Sequence, residues 1–210
     1  SADYRDAKGI DLRSEREEYG ARASVMHTSK GGLFTFTANV APRIIYRDNA
    51  DWSVFKDAIE ANPTTPMMDP ENPARYYNFM GQVVGSNPVE RQKLEQDHAD
   101  TKLLDWDATV KLNLLPLLAK EGKSNHRLTT QLMFADHQYS NNNTWFRPST
   151  STIAINNGRE GEASRSYSKE RQQIMEWLTN YSGSFGQHNV KAMAGYSYQY
   201  SRYSGFNADN

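Results

Sequence analysis

The sequence predicts an all-β fold, namely an antiparallel transmembrane β-barrel segment of about six to seven strands with two long extracellular loops. Three observations predict it. Stretches of about ten residues alternate apolar and polar side chains, which is the period of a strand with two different faces. The polar positions include lysine and aspartate, which a wetted barrel interior accommodates more readily than a dry core. Short and long connections alternate along the chain, as turns and loops do in outer-membrane barrels.

Composition narrows the function classes. The net charge of the 210 residues is −1, so no basic field indicates a nucleic-acid partner. No stretch approaches the roughly 20 apolar residues that a transmembrane helix needs. The absence of cysteine excludes thiol catalysis, thiolate metal sites and disulfides. Ser1 is not followed by the features of a signal peptide; because a barrel must be exported, we expect a mature chain or an internal piece of a longer one.

The first predicted elements form a tight antiparallel pair. Residues 1–10 read as the end of a strand and a turn at 6–9, and residues 19–26 alternate as a strand. The run Ser29-Lys30-Gly31-Gly32 is a strong hairpin signal, and residues 33–43 then alternate again.

Residues 44–100 break this alternation and contain most of the prolines. Within them, residues 51–62 predict a short amphipathic helix, because Trp52, Phe55 and Ile59 have helical spacing and Pro63 follows. A long insertion between two paired strands usually carries function, so we predict an extracellular loop here.

The second half repeats the strand pattern. Strands are predicted over residues 104–114, 126–139, 170–181 and 190–201, with a turn at 116–125, a second long extracellular loop at 141–169 and a short turn at 183–188. The last strand ends in Tyr196, Tyr198 and Tyr200 on one side, as an interfacial aromatic girdle does.

Alternation assigns two opposite faces. The apolar side chains predicted to face lipid are Phe34, Phe36, Leu104, Trp106, Val110, Leu112, Ala192 and Ala194. The polar side chains predicted to face a hydrated lumen are Asp105, Asp107, Thr109, Lys111, Arg127, Thr129, Gln131, Lys191, Ser197 and Gln199.

No catalytic constellation emerges, so the sequence predicts neither an enzyme nor a cofactor. The five histidines lack ligand spacing, and Asp97-His98-Ala99-Asp100 resembles a metal cluster only superficially. Asp105 and Asp107 allow an alternative interpretation as paired acids for glycoside chemistry. Four aromatic side chains in the predicted loops could contact a substrate or a partner, or could pack the loops together: Trp52, Phe55, Trp145 and Phe146.

Three stretches of sequence resemble one family. They are Gly9-Ile10 with Glu18-Tyr19-Gly20-Ala21-Arg22; residues 58–69 with Asn87-Pro88-Val89-Glu90-Arg91; and residues 178–188 followed by Ala192-Met193-Ala194-Gly195-Tyr196-Ser197. In this order and spacing the chain resembles an internal part of the barrel of a SusC/RagA-type TonB-dependent outer-membrane transporter.

The resemblance implies nutrient import across the outer membrane of a Gram-negative cell. Family members have a barrel of about 22 strands around a plug, a SusD-type surface lipoprotein as a cap, oligosaccharide or peptide substrates, and TonB as the source of energy. Residues 1–210 would be part of that barrel domain in contact with the lipid bilayer, without the plug or the TonB box. About seven strands would not close the parent pore, so other segments would complete it.

A second interpretation remains open. The chain could be a small self-contained β-sheet or β-barrel, such as a carbohydrate-binding module. That interpretation predicts a dry core and no lipid-facing band. It is disfavoured by Asp105, Asp107, Lys111 and Lys191, which a dry core would hold only if they were paired.

Overall fold

The computed structural model describes residues 1–49, 51–115 and 125–210. They form one antiparallel sheet of eight strands with short helices in two of the connections. This confirms the predicted all-β antiparallel segment, which is not closed into a barrel. The strands are β1 Ala2–Lys8, β2 Glu15–Ala21, β3 Ala23–Thr28, β4 Phe34–Asp48, β5 Gln96–Asn113, β6 His126–Pro148, β7 Gly161–Phe185 and β8 His188–Asp209; the helices are α1 Ser53–Glu60, α2 Pro88–Leu94 and α3 Thr152–Asn156, and a 3₁₀ turn covers Lys30–Gly32.

The sheet is a meander in the order β1-β2-β4-β5-β6-β7-β8, with β3 also paired to β4. β2 and β3 share one register against β4, because Gly20 lies opposite Arg43 and Ala23 lies opposite Val40. Pro42 lies opposite the break between them and has no amide hydrogen to donate. β2 and β3 therefore occupy a single strand position, and the sheet has seven positions side by side.

The connections separate into two ends of the sheet. Residues 9–14, 49–95 and 149–160 join strands at one end, which we call the loop end. Residues 29–33 and 186–187 join strands at the other, which we call the turn end. The predicted turn at 116–125 also belongs to the turn end, but its residues 116–124 lie outside the described part of the chain.

The β7–β8 turn is the tightest connection. Phe185 and His188 are paired, so only Gly186 and Gln187 form the loop. Gly186 adopts φ of 64°, a conformation that glycine reaches without steric cost.

Strands extend beyond the predicted limits at the loop end. The predicted loop at 44–100 is strand up to Asp48 and again from Gln96. The predicted loop at 141–169 is wrong in its bounds, because β6 continues to Pro148 and β7 begins at Gly161. The turn predicted at 6–9 begins only at Gly9. Strand pairing depends on backbone hydrogen bonds, which polar serine, threonine and asparagine residues make as well as apolar ones.

Apolar burial is concentrated in the loops rather than on the sheet. Among the described residues, the buried hydrophobic side chains are Val54, Phe79, Val84, Ala99 and Ala154, and only Ala99 belongs to a strand. No helix in the ranges 1–49, 51–115 and 125–210 has the length and apolar character needed to cross a bilayer.

Candidate functional site: a two-faced sheet and its loop cluster

The strand register sorts side chains onto two faces. Residues directly opposite each other in antiparallel strands point to the same side. Lys111 lies opposite Gln131, and Asp107 lies opposite both Asn39 and Ala135. Continued across the sheet, the register brings all the predicted lumen residues to one side, which we call the polar face: Asp105, Asp107, Thr109, Lys111, Arg127, Thr129, Gln131, Lys191, Ser197 and Gln199.

Several charges on the polar face have partners in neighbouring strands. Asp107 accepts a hydrogen bond of 2.9 Å from the Asn39 amide. Asp105 contacts the ring of His137 directly across the strand pair. These cross-strand contacts give the two aspartates structural partners, so a role as paired catalytic acids has no support from their surroundings.

Glu18 is the best-shielded carboxylate on the polar face, with 4% of its surface exposed. Arg16 lies 2.7 Å and Arg43 3.1 Å from its two oxygens. A buried carboxylate with two cationic partners fixes the relative positions of β2 and β4.

Three cations collect on the polar face near the turn end. Lys111, Arg127 and Lys191 line a cavity of about 410 Å³ together with the polar side chains of Thr129 and Asn180. All three cations are exposed, and no ion pair joins any of them to a described carboxylate. This cavity is therefore electropositive.

The opposite side of the sheet carries an apolar band, and we call it the apolar face. It contains every side chain that the sequence predicted to face lipid, because Phe34 lies opposite Leu112, Phe36 opposite Val110, and Trp106 opposite Val40. Tyrosines border the band on β1, β2 and β4. The rings of Tyr4 and Tyr19 are 5.0 Å apart, and those of Tyr19 and Tyr46 are 6.4 Å apart.

The long connection between β4 and β5 is folded around Arg91 of α2. Its guanidinium contacts Asp51, lies 2.6 Å from Asp57 of α1 and donates to Ser53 Oγ at 2.9 Å. Burial lowers the pKa of Arg91, and the nearby carboxylate of Glu95 opposes that shift. These contacts tie the two helices to each other.

Asn87 is the second centre of this loop and is fully buried. Its side-chain oxygen caps α2 by accepting from the amides of Val89 and Glu90 at 3.1 and 3.3 Å. Its amide group donates to the carbonyls of Met67 and Tyr77 at 2.9 and 3.3 Å. α2 was not among the elements predicted from the sequence. Asn87 followed by Pro88 is a helix-start signal from which it could have been predicted.

Asn87→Ala is expected to destabilise the folded loop by about 3 kcal/mol, because it removes the cap and leaves two buried carbonyls without donors. Limited proteolysis should then cut within residues 62–86 much faster than in the unaltered protein. Asn87→Ser is the matched control: serine is a good helix cap, so it can keep the cap while it loses the donors to the two carbonyls, and its cleavage rate should be intermediate. Equal rates for all three proteins would contradict this role.

A buried carboxylate joins the two loop-end connections. Glu90 of α2, which is 1% exposed, accepts from the backbone amide of Thr152 at 2.6 Å and also from its hydroxyl. Thr152 is the first residue of α3, so Glu90 satisfies a free amide at that helix start. The long β4–β5 connection and the short β6–β7 connection thus form one loop cluster.

Arg147 of β6 fastens the loop cluster to the sheet. Its guanidinium lies 2.8 Å from Glu95, which follows α2, and 2.5 Å from Glu162 of β7. It also lies over the ring of Trp145 at 4.8 Å. The side chains of Arg147, Glu95 and Glu162 are 15%, 11% and 14% exposed, so this network is largely shielded from water.

The four predicted contact aromatics are not together on one loop. Trp52 and Phe55 belong to the start of α1, with ring centres 5.7 Å apart, and Trp52 is 69% exposed. Trp145 and Phe146 lie in β6 and not in a loop, which corrects the predicted location. Trp52 and Trp145 nevertheless line the same cavity of about 280 Å³, whereas Phe146 points to the other side of the strand.

The sequence 97–100 is part of β5 rather than a loop. His98 lies between Asp48 at 2.7 Å and Asp100 at 2.9 Å. Among the described residues, no group of three or more His, Asp or Glu side chains is arranged to hold a metal ion.

The geometry defines a segment of a β-barrel wall with one apolar face, one polar face and a folded loop cluster at one end. A solved structure of the RagAB peptide importer in its open-open state matches 93% of this chain and 21% of its own chain, with a TM-score of 0.58 and 14% identity. The closed-closed state matches 99% of this chain and 23% of its own, with a TM-score of 0.61 and 12% identity.

These matches confirm the predicted resemblance at the level of the fold. The chain spans about a fifth of the length of the structures that it matches. No protein-family model matches the sequence. No curated protein matches it either.

Proposed function

We propose that this chain supplies part of the barrel wall and of the extracellular loops of an outer-membrane TonB-dependent nutrient importer. In this proposal the apolar face contacts lipid, the polar face contacts the lumen, and the loop end faces the cell exterior. A SusD-type lipoprotein would cap the loop end, and TonB would act through other parts of the complete protein.

The observation that carries the proposal is the exposure of the apolar face. Val25, Leu132, Trp177 and Tyr196 are 54%, 50%, 44% and 58% exposed, although each is paired with a residue of a neighbouring strand. A soluble protein rarely leaves so continuous an apolar surface in water, whereas a bilayer solvates it. The charged residues on the other side are then wetted by the lumen or packed against a plug.

The open edges of the sheet also support a wall segment. Among the described strands, β1, β3 and β8 each pair on one side only. Unpaired edges are not tolerated in a bilayer, so we expect each to pair with a further strand of the complete barrel.

The loop cluster is the proposed contact region for substrate or cap. Trp52 is the most accessible of the predicted aromatic contacts, and it shares a cavity with Trp145, Arg13 and Asp97. Such a cavity suits a peptide: the aromatic rings can contact apolar side chains, and the cation and the carboxylate can contact the polar backbone and the charged termini. The solved structures of similar fold are described as a peptide importer. We therefore favour a peptide over an oligosaccharide as the transported substrate.

A self-contained carbohydrate-binding module is the second candidate, and an enzyme is the third. A module would bury one face of its sheet against a second layer, yet the described strands contribute only Ala99 to the buried apolar residues. We propose no catalytic role, because the aspartates that invited one are partnered across strands.

Protease accessibility tests the proposed topology. Protease added to intact cells is expected to cut within residues 61–75, where the chain is exposed and lacks regular helix or strand. Removal of the cap should increase the cutting, and the turn at 186–187 should resist until the outer membrane is opened. Cleavage of 61–75 only after opening would reverse the topology, and a protein that remains in buffer without detergent would refute the membrane location.

A further inference from the structure

We propose that the apolar face carries, just beyond its apolar band at the loop end, a docking surface for a phosphate-bearing lipid of the outer leaflet. This inference rests on the proposed function, which places that face against lipid. The surface, here called the basic patch, consists of Lys102, Lys169, Arg171 and Arg202.

The register brings these four residues together on neighbouring strands. Arg171 of β7 lies directly opposite Arg202 of β8. Lys169 is two residues farther along β7 on the same face, and Ser140 lies between it and Lys102 of β5. With strands about 4.8 Å apart and two residues spanning about 7 Å, the four side chains share a patch roughly 15 Å across.

The patch has more positive charge than the described residues neutralise. All four side chains are exposed. Arg171 is paired with the buried carboxylate of Asp136 at 2.8 Å, which also accepts from Trp106 and Gln138. No described carboxylate forms an ion pair with the other three cations.

Two arginines directly opposite each other repel and destabilise a strand pair. Asp136 offsets only one of these charges. The acidic side chains farther along this face, Asp48 and Asp100, contact His98 instead. An external anion over the patch would remove the repulsion between Arg171 and Arg202.

The height of the patch matches that of lipid head groups. Lys102 is two residues beyond Leu104, the last apolar position of β5 on this face. Arg202 is two residues beyond Tyr200, the last of three alternating tyrosines of β8, and Phe206 lies four residues farther toward the loop end. In a strand tilted by about 45°, two residues rise about 5 Å, which is the depth of the interfacial layer above the hydrocarbon. The anion at that height is a lipid phosphate, which binds lysine and arginine by charge-assisted hydrogen bonds.

The test compares lipid binding by the complete protein in nanodiscs of phosphatidylcholine doped with lipid A, with native mass spectrometry as the readout. The variant is Lys102→Gln with Lys169→Gln and Arg202→Gln; Arg171 is kept because Asp136 depends on it. The matched control removes three cations from the polar face: Lys111→Gln, Arg127→Gln and Lys191→Gln.

Each interfacial cation contributes about a fivefold gain in affinity, so the patch variant should bind lipid A about a hundredfold more weakly at low salt. The control variant should bind as the unaltered protein does. The unaltered protein should also prefer lipid A to the same glycolipid without phosphates, and inorganic phosphate should compete only weakly.

Unchanged lipid A binding by the patch variant would overturn the patch while leaving the membrane location intact. Equal binding of phosphorylated and dephosphorylated lipid by the unaltered protein would also overturn the basic patch, because it would show that the protein does not recognise the phosphates. Failure of the unaltered protein to enter nanodiscs would instead refute the proposed function. Heat-dependent gel mobility reports assembly of each variant separately from lipid binding.

Discussion

Val110→Arg is expected to prevent assembly of the protein in the outer membrane. Val110 lies within the apolar band, directly opposite Phe36 on one side and Leu132 on the other. An arginine facing lipid near the bilayer midplane costs about 2–4 kcal/mol. The measurement is the yield of heat-modifiable protein in outer-membrane fractions, together with the urea midpoint of any protein that assembles.

Thr109→Arg is the matched control, because it introduces the same side chain one position away in the same strand. Thr109 points to the polar face, where Thr37 and Met133 lie opposite it. An arginine there can reach water or the plug, so assembly should be close to normal. Equal assembly of the two variants would mean that the apolar face does not contact lipid.

Arg147→Met is expected to release the loop cluster from the sheet. Without the guanidinium, the carboxylates of Glu95 and Glu162 lose their shared cation while remaining largely shielded from water. Removal of one partner from a buried charge network costs about 3 kcal/mol. Proteolysis within residues 61–95 should accelerate strongly, whereas the urea midpoint of the sheet should change little.

Arg159→Met provides the control for this experiment. Arg159 contacts the same Glu162 at 3.4 Å, but its side chain is 54% exposed. Exposed ion pairs contribute only about 0–1 kcal/mol, so the loops should stay as resistant as in the unaltered protein. If Arg147→Met were no more sensitive to protease than Arg159→Met, Arg147 would not fasten the loops to the sheet.

The two faces of the sheet were predictable from sequence because side-chain alternation is a property of the extended backbone itself. The positions of Lys111 and Val110 on opposite sides follow from counting residues. α1 was predictable for a similar reason, since Trp52, Phe55 and Ile59 recur at the helical period before Pro63. These features depend on residues close in sequence.

The bounds of the strands at the loop end were not predictable in this way. Asn141 to Pro148 are mostly polar and read as a loop, yet Asn141 to Phe146 are paired with both β5 and β7, and Arg147 and Pro148 are paired with β7. Beyond the apolar band, the two faces of the strand no longer differ clearly in polarity. The strand there is maintained by backbone hydrogen bonds, which do not require apolar and polar residues to alternate in the sequence.

The two-faced strands, the tight turns and one loop helix follow from residues that are close in sequence. The loop cluster and the basic patch depend on contacts between residues that are far apart in sequence. Glu90 meets Thr152 across 62 positions of sequence, Arg147 meets Glu95 across 52, and Arg171 meets Arg202 through the register of β7 and β8. Local pattern cannot predict such contacts, because they depend on strand register: a shift of one residue between β5 and β6 would separate Arg147 from Glu95, and the same shift between β7 and β8 would separate Arg171 from Arg202.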